Sequence, residues 1–166
     1  MQTDYAKKTV EDRLVRQFSH PTMIFSLATL ASVVIYAAAA YFLSGHRPLT
    51  QAVKDAWGIL NIVSIMVIIV VLAIRKTIYF SSRLIREPFT LPELLKRWRV
   101  IDIVLISLAE LVALLGLVIT VLGMPFANTF HYFVSSFLLI MILMPIAWKV
   151  HDKLRNFKRN AGTWND

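Results

Sequence analysis

The sequence predicts an all-α integral membrane protein, a four-helix transmembrane bundle with its N- and C-termini cytoplasmic, and three observations predict it. The 166 residues are 57% hydrophobic with a mean hydropathy of +0.63, where an ordinary soluble domain carries roughly 45–50% apolar residues. The charges are segregated instead of being interleaved along amphipathic faces. Four stretches reach the length of about 20 apolar residues that a helix needs to cross a bilayer.

Those stretches are expected to span at about 22–44, 57–80, 100–123 and 126–148. The third and fourth are separated only by the residues around Met124-Pro125, which predicts a tight antiparallel hairpin. Residues 1–20 are read as a cytoplasmic amphipathic interfacial segment, 21–150 as the bundle, and 151–166 as a basic cytoplasmic tail. A cleaved signal peptide is not expected, because the leading region contains Asp4, Glu11 and Asp12 and the first apolar run continues through Tyr41, Phe42 and Leu43.

Direction follows from the basic residues. Of the 18 Lys and Arg, all but Arg47 and Lys54 fall in the N-terminal tail, the second loop or the C-terminal tail. With four spans these three segments share one side, and the excess of basic residues assigns that side to the cytoplasm. Trp57 is expected at the outer interface, and Trp98 and Trp148 at the inner one, where amphipathic rings prefer to sit. This bias and the compact architecture point to a bacterial inner (plasma) membrane. The net charge of +8 is therefore read as charge facing anionic lipid, not as a nucleic-acid surface. The absence of cysteine excludes disulfides and thiolate metal sites.

Outside the spans, Val10, Leu14 and Phe18 recur at four-residue spacing, which predicts a helix lying on the inner interface. In the second loop, Pro88 breaks the preceding helix and Thr90-Leu91-Pro92-Glu93 fits a capping box. The next helix is expected to start there and run into the third span, with Leu94, Leu95 and Trp98 dipping toward lipid. Spans one and three carry most of the small residues and are expected at the centre of the bundle. Pro145 is expected to mark a kink or the inner end of span four. Ser26-Leu-Ala-Thr29-Leu faintly resembles Ser107-Leu-Ala-Glu110-Leu, the pattern a duplicated hairpin would leave.

One residue asks for a chemical explanation. Asp102 lies two residues into span three and can reach the wet interface. Glu110 lies about ten residues in, or about 15 Å at 1.5 Å per residue, near the middle of a hydrocarbon core about 30 Å thick. A bare carboxylate there costs at least about 2.5 kcal/mol on insertion scales. Glu110 can hold a proton, accept hydrogen bonds inside the bundle, or line a wet path and exchange protons. Ala109, Ala113 and Gly116 let another helix approach closely, and Tyr36, Ser64, Ser135 and Ser136 lie at compatible depth as hydrogen-bond partners. His131 is read as an interfacial histidine; His20 and His46 flank span one and His151 follows span four, so no pair is placed to hold a haem. No catalytic set, metal cluster or cofactor site is expected.

The run Leu108-Ala-Glu110-Leu-Val-Ala-Leu-Leu-Gly116-Leu-Val-Ile119 resembles the carboxylate-bearing helix of the proteolipid c subunit of rotary ATP synthases. Pro92-Glu93 and the basic run after it resemble that family's polar loop. The resemblance covers about fifteen to thirty residues and implies that Glu110 is a proton or ion site. Span two departs from it, with Gly58 as its one glycine against the glycine-rich partner helix of the family, and two further spans flank the hairpin. A rotor ring is therefore not expected. The resemblance points to small four-helix bacterial membrane proteins that carry a proteolipid-like helix.

Three functional expectations follow. The first is a small, non-catalytic integral subunit or accessory protein of a larger membrane complex, in contact with the lipid bilayer and with other membrane subunits or copies of itself. The second is a proton- or cation-translocating protein using Glu110. The third is a quinone- or lipid-binding bundle.

Overall fold

The computed structural model describes residues 2–44, 50–80, 91–145, 150–152 and 154–155. Four helices hold nearly all of them: α1 (Gln2–Leu43), α2 (Gln51–Phe80), α3 (Leu91–Val121) and α4 (Phe126–Leu143). No strand occurs among the described residues. Each helix contains a stretch long and apolar enough to cross a membrane: Asp12–Leu43, Gln51–Thr77, Pro92–Val121 and Phe126–Leu143. The chain is an all-α, four-helix transmembrane bundle.

α3 is the hub. It packs against all three other helices, while α1 and α4 also touch each other and α2 packs chiefly on α3. This corrects the expectation that α1 and α3 share the centre. The reason is the inner stripe of α3, where Ala109, Val112, Ala113, Gly116 and Thr120 are all buried. Such a stripe admits close helix approach on more than one flank. The main apolar cluster joins Leu30 and Val33 of α1, Val71 of α2, Leu105, Ile106 and Ala109 of α3, and Phe133 and Ile140 of α4.

The α3–α4 hairpin is closed by backbone chemistry. Gly123 has φ 113°, a left-handed conformation that L side chains rarely adopt. The Met124 N–H donates to the Ile119 carbonyl at 3.1 Å and the Gly123 N–H to the Thr120 carbonyl at 3.0 Å. This pair of bonds is a Schellman cap, satisfying carbonyls the helix would otherwise leave open. At the other end of α4, Met144 is extended (φ −50°, ψ 121°), as a residue before proline prefers. Pro145 therefore ends the helix, and α4 is shorter than the expected 126–148.

α1 differs from expectation in the opposite direction. It runs unbroken for 42 residues through Pro21, about 63 Å against a hydrocarbon core of about 30 Å. The segment expected to lie along the interface is thus the first part of the spanning helix itself. Packing on both sides of Pro21 offsets the lost helical hydrogen bond: Val15 precedes it and Thr22 and Ser26 follow, all essentially inaccessible.

The basic end of the bundle is held by a second apolar cluster. Val15 of α1 packs with Leu94, Leu95 and Trp98 of α3 and with Val150 and Leu154 beyond α4, flanked by Leu14 and Phe18. His151 Nε2 lies 3.5 Å from Asp12 Oδ1 across the same junction. Leu94, Leu95 and Trp98, expected to dip toward lipid, are instead 2%, 2% and 6% exposed. Three apolar helix faces that end at one level bury one another there. Truncating Leu95→Ala is accordingly expected to destabilise the protein by about 2–5 kcal/mol, the usual cost of a core leucine. A lipid-facing leucine would change the melting temperature in detergent hardly at all. Pro88, Thr90, His46, Trp148 and the side chain of Val10 lie outside the described residues.

Candidate functional site

Glu110 sits on the rim of the inner face of α3. Ile106, Ala109 and Ala113 are buried on one side of it, Ser107 and Leu111 are exposed on the other, and Glu110 itself is half-buried. It is about eleven residues, or roughly 16 Å, from the C-terminal end of α3 at Val121, which places it deep within the span from either end.

Tyr36 reaches it from α1, donating its phenolic proton to Glu110 Oε1 across 3.2 Å. Side chains on an α-helix lean toward its N-terminus. α1 and α3 both begin at the basic end, and Tyr36 lies somewhat further along its span than Glu110 does. The lean lowers the phenol to the carboxyl group. Tyr36 is the one hydrogen-bond partner of Glu110 among the described residues. Ser64 donates to the Asn61 carbonyl of its own helix at 3.0 Å. Ser135 is half-buried, and its neighbour Ser136 makes the interhelical bond, donating to the Ala109 carbonyl at 2.7 Å. One turn of α3 is therefore pinned from both flanks, by Tyr36 of α1 at Glu110 and by Ser136 of α4 at Ala109. Buried polar bonds in lipid hold helices together because no water competes for them.

Toward the α3–α4 hairpin, the two helices come closer still. A Cβ built on Gly116 would lie 2.6 Å from Tyr132 Cβ, so only glycine fits this crossing without a shift of α4. One helical turn on, Thr120 and Thr129, both buried, share a hydrogen bond of 2.8 Å. On the opposite flank, Asn61 of α2 accepts from His131 Nε2 of α4 at 2.8 Å, the amide oxygen being acceptor only. Inside that bridge, Trp57 Nε1 and Tyr132 Oη are buried with no partner among the described residues. Rings close the hairpin end beside α1: Tyr41 meets Phe126 edge-on at 5.6 Å, and Phe126 stacks on Phe133 at 6.0 Å.

Toward the basic end buried polar side chains lie beside the apolar cluster. Asp102, expected to reach water, is 5% exposed. It lines a small crevice with Thr22, Trp98 and Arg99, with about 20 Å³ of free volume, enough for a single water molecule. Among the described residues no group of three or more His, Cys, Asp or Glu side chains could hold a metal ion.

Asn61 and the Thr120–Thr129 pair are polar contacts between helices that the sequence reading passed over, and Ser136, expected as a partner of Glu110, bonds the Ala109 carbonyl instead. Their signal was in plain view: each is a hydrogen-bonding side chain inside an apolar span, and such groups must find partners. Comparison of the chain with known protein families, with curated proteins and with solved structures finds no match.

Proposed function

We propose that this protein is a small, non-catalytic integral subunit or accessory component of a larger complex in a bacterial inner membrane, with its basic end in the cytoplasm. The supporting observation is α2. It is held on one side by α3, and its far face presents Ile59, Ile62, Ile65, Met66 and Ile69, each 55–66% exposed. Lipid or another transmembrane helix covers that face. Purification of the tagged protein from native membranes in mild detergent, with mass analysis, tests the reading. Stoichiometric partners are expected. A monodisperse lone chain contradicts it.

A second reading is favoured by a different observation. Glu110 lies at mid-span, half-buried on the α1–α3 seam, with Tyr36 bonded to one of its oxygens. A carboxyl group so placed is suited to taking up and releasing protons within the membrane. The proteolipid-like run around it supports the same role. Loss of proton flux in Glu110→Gln liposomes is its test.

A further inference from the structure

The two ends of the bundle are built differently around Glu110. Toward the outer end α1 is apolar, and the buried hydroxyls there, Thr120 and Thr129, bond each other between α3 and α4. α1 continues from Tyr36 through Ala37, Ala38, Ala39 and Ala40, and the rings of Tyr41, Phe126 and Phe133 pack beyond them. Toward the basic end α1 carries a hydroxyl on every turn: Ser32, Thr29, Ser26 and Thr22. The spacings of three and four residues keep them along one side of the helix. Thr29, Ser26 and Thr22 are buried at 3%, 0% and 2%, and Thr22 opens into the crevice that Asp102 lines.

Each of these hydroxyls donates to the backbone carbonyl four residues earlier, Ser32 to Ala28 at 3.1 Å, Thr29 to Phe25 at 2.9 Å, Ser26 to Thr22 at 2.8 Å and Thr22 to Phe18 at 3.4 Å. That arrangement satisfies the donor and leaves oxygen lone pairs open to accept a proton. Among the described residues the ionisable or charged groups that meet this path are Tyr36 on α1 beside Glu110, and Asp102 and Arg99 on α3 at the crevice.

From this asymmetry we propose that Glu110 exchanges its proton with the basic end of the bundle and not with the outer end, through the Asp102 crevice and the Thr22–Ser26–Thr29–Ser32 hydroxyl file. The inference rests on the proton-exchange reading and gives it a direction. Neighbouring rungs are about 4.5–6 Å apart along the axis, beyond the 2.5–3.0 Å of a direct O–H···O bond. One water between rungs, admitted when the α1–α3 seam opens, completes each step. In the exchange a protonated water in the crevice gives its extra proton to the first hydroxyl and is left neutral, each rung and each bridging water accepts on a lone pair and releases its own proton onward, and the Glu110 carboxylate takes the last. Rotation of the hydroxyls resets the file, so no group but Glu110 changes its charge.

The test is hydrogen–deuterium exchange of the Glu110 carboxyl group in the full-length protein in detergent at low pH, where the acid holds its proton. It is followed by infrared absorption and assigned by the band's loss in Glu110→Gln. A Thr22→Val, Thr29→Val double variant, which swaps hydroxyl for methyl at nearly constant shape, is expected to slow exchange by more than an order of magnitude. Thr22→Ser, Thr29→Ser restores it. Phe126→Leu, at the outer end, leaves it unchanged. Unaltered exchange in the valine variant, or acceleration in Phe126→Leu, overturns the route. If the valine variant exchanges normally while Glu110→Gln still abolishes vesicle flux, the route is wrong and the proton-exchange reading stands. A Glu110 band that never exchanges in the wild type overturns both.

Discussion

Glu110→Gln is expected to reduce proton flux into liposomes to the level of empty vesicles while leaving the bundle folded. Glutamine has the shape of protonated glutamate, and its amide oxygen can still accept from Tyr36 Oη, which lies 3.2 Å from the carboxyl oxygen it replaces. The interhelical bond therefore survives and the exchangeable acid does not. Glu110→Ala removes both. It leaves the Tyr36 phenol without its acceptor and is expected to lose, in addition, about 0.6–1.7 kcal/mol, the range measured for hydrogen bonds between membrane helices. A pH-sensitive dye trapped in vesicles under an imposed potassium diffusion potential measures the flux, and thermal melting in detergent measures the fold. If Gln retains flux, or if the wild type has none, Glu110 is a structural acid whose role ends with the Tyr36 bond.

The second large effect belongs to Gly116. A Cβ there meets Tyr132 Cβ at 2.6 Å and Phe133 Cζ at 3.3 Å. Tyr132 Cβ is attached directly to the backbone of α4, so no rotamer change relieves the contact and the helix must move. Gly116→Ala is expected to cost about 1–3 kcal/mol, as overpacked cores do, and Gly116→Val more. The displacement also separates Thr120 from Thr129, whose 2.8 Å bond lies one turn on. Loss of melting temperature in detergent, in the order Val worse than Ala, measures it. A neutral Gly116→Ala would mean that α3 and α4 are further apart at this crossing than described.

Much of the architecture was legible because membrane spans are written in composition. The hairpin at Met124-Pro125 is the clearest case, since its Gly123 and Pro125 both act locally. Depth counted along the helices made Tyr36 one of four candidate partners of Glu110, with Ser64, Ser135 and Ser136, and did not choose among them. What could not be read was which face of each helix meets which neighbour. Leu95 and Trp98 look lipid-facing in a basic loop, and only the convergence of α1, α3 and the segment after α4 buries them. Asp102 looks wet by its position two residues into a span, yet the same convergence covers it. Ser135 and Ser136 are equivalent in sequence. The rotation of α4, set by Tyr132 against Gly116, decides that Ser136 faces α3.

Proton exchange at Glu110 requires that residue at mid-membrane with the basic segments together on one side, and the absence of cysteine makes that directly measurable. Single cysteines at Thr3, Ser82 and Arg155, at Thr50 and Asn128, and at Glu110 can be probed in intact cells and inverted vesicles with a membrane-impermeant thiol reagent. Labelling at 3, 82 and 155 from the cytoplasmic side only, at 50 and 128 from the opposite side only, and protection at 110 is the predicted result. Labelling of 82 from the same side as 50, or ready labelling at 110, would contradict the account.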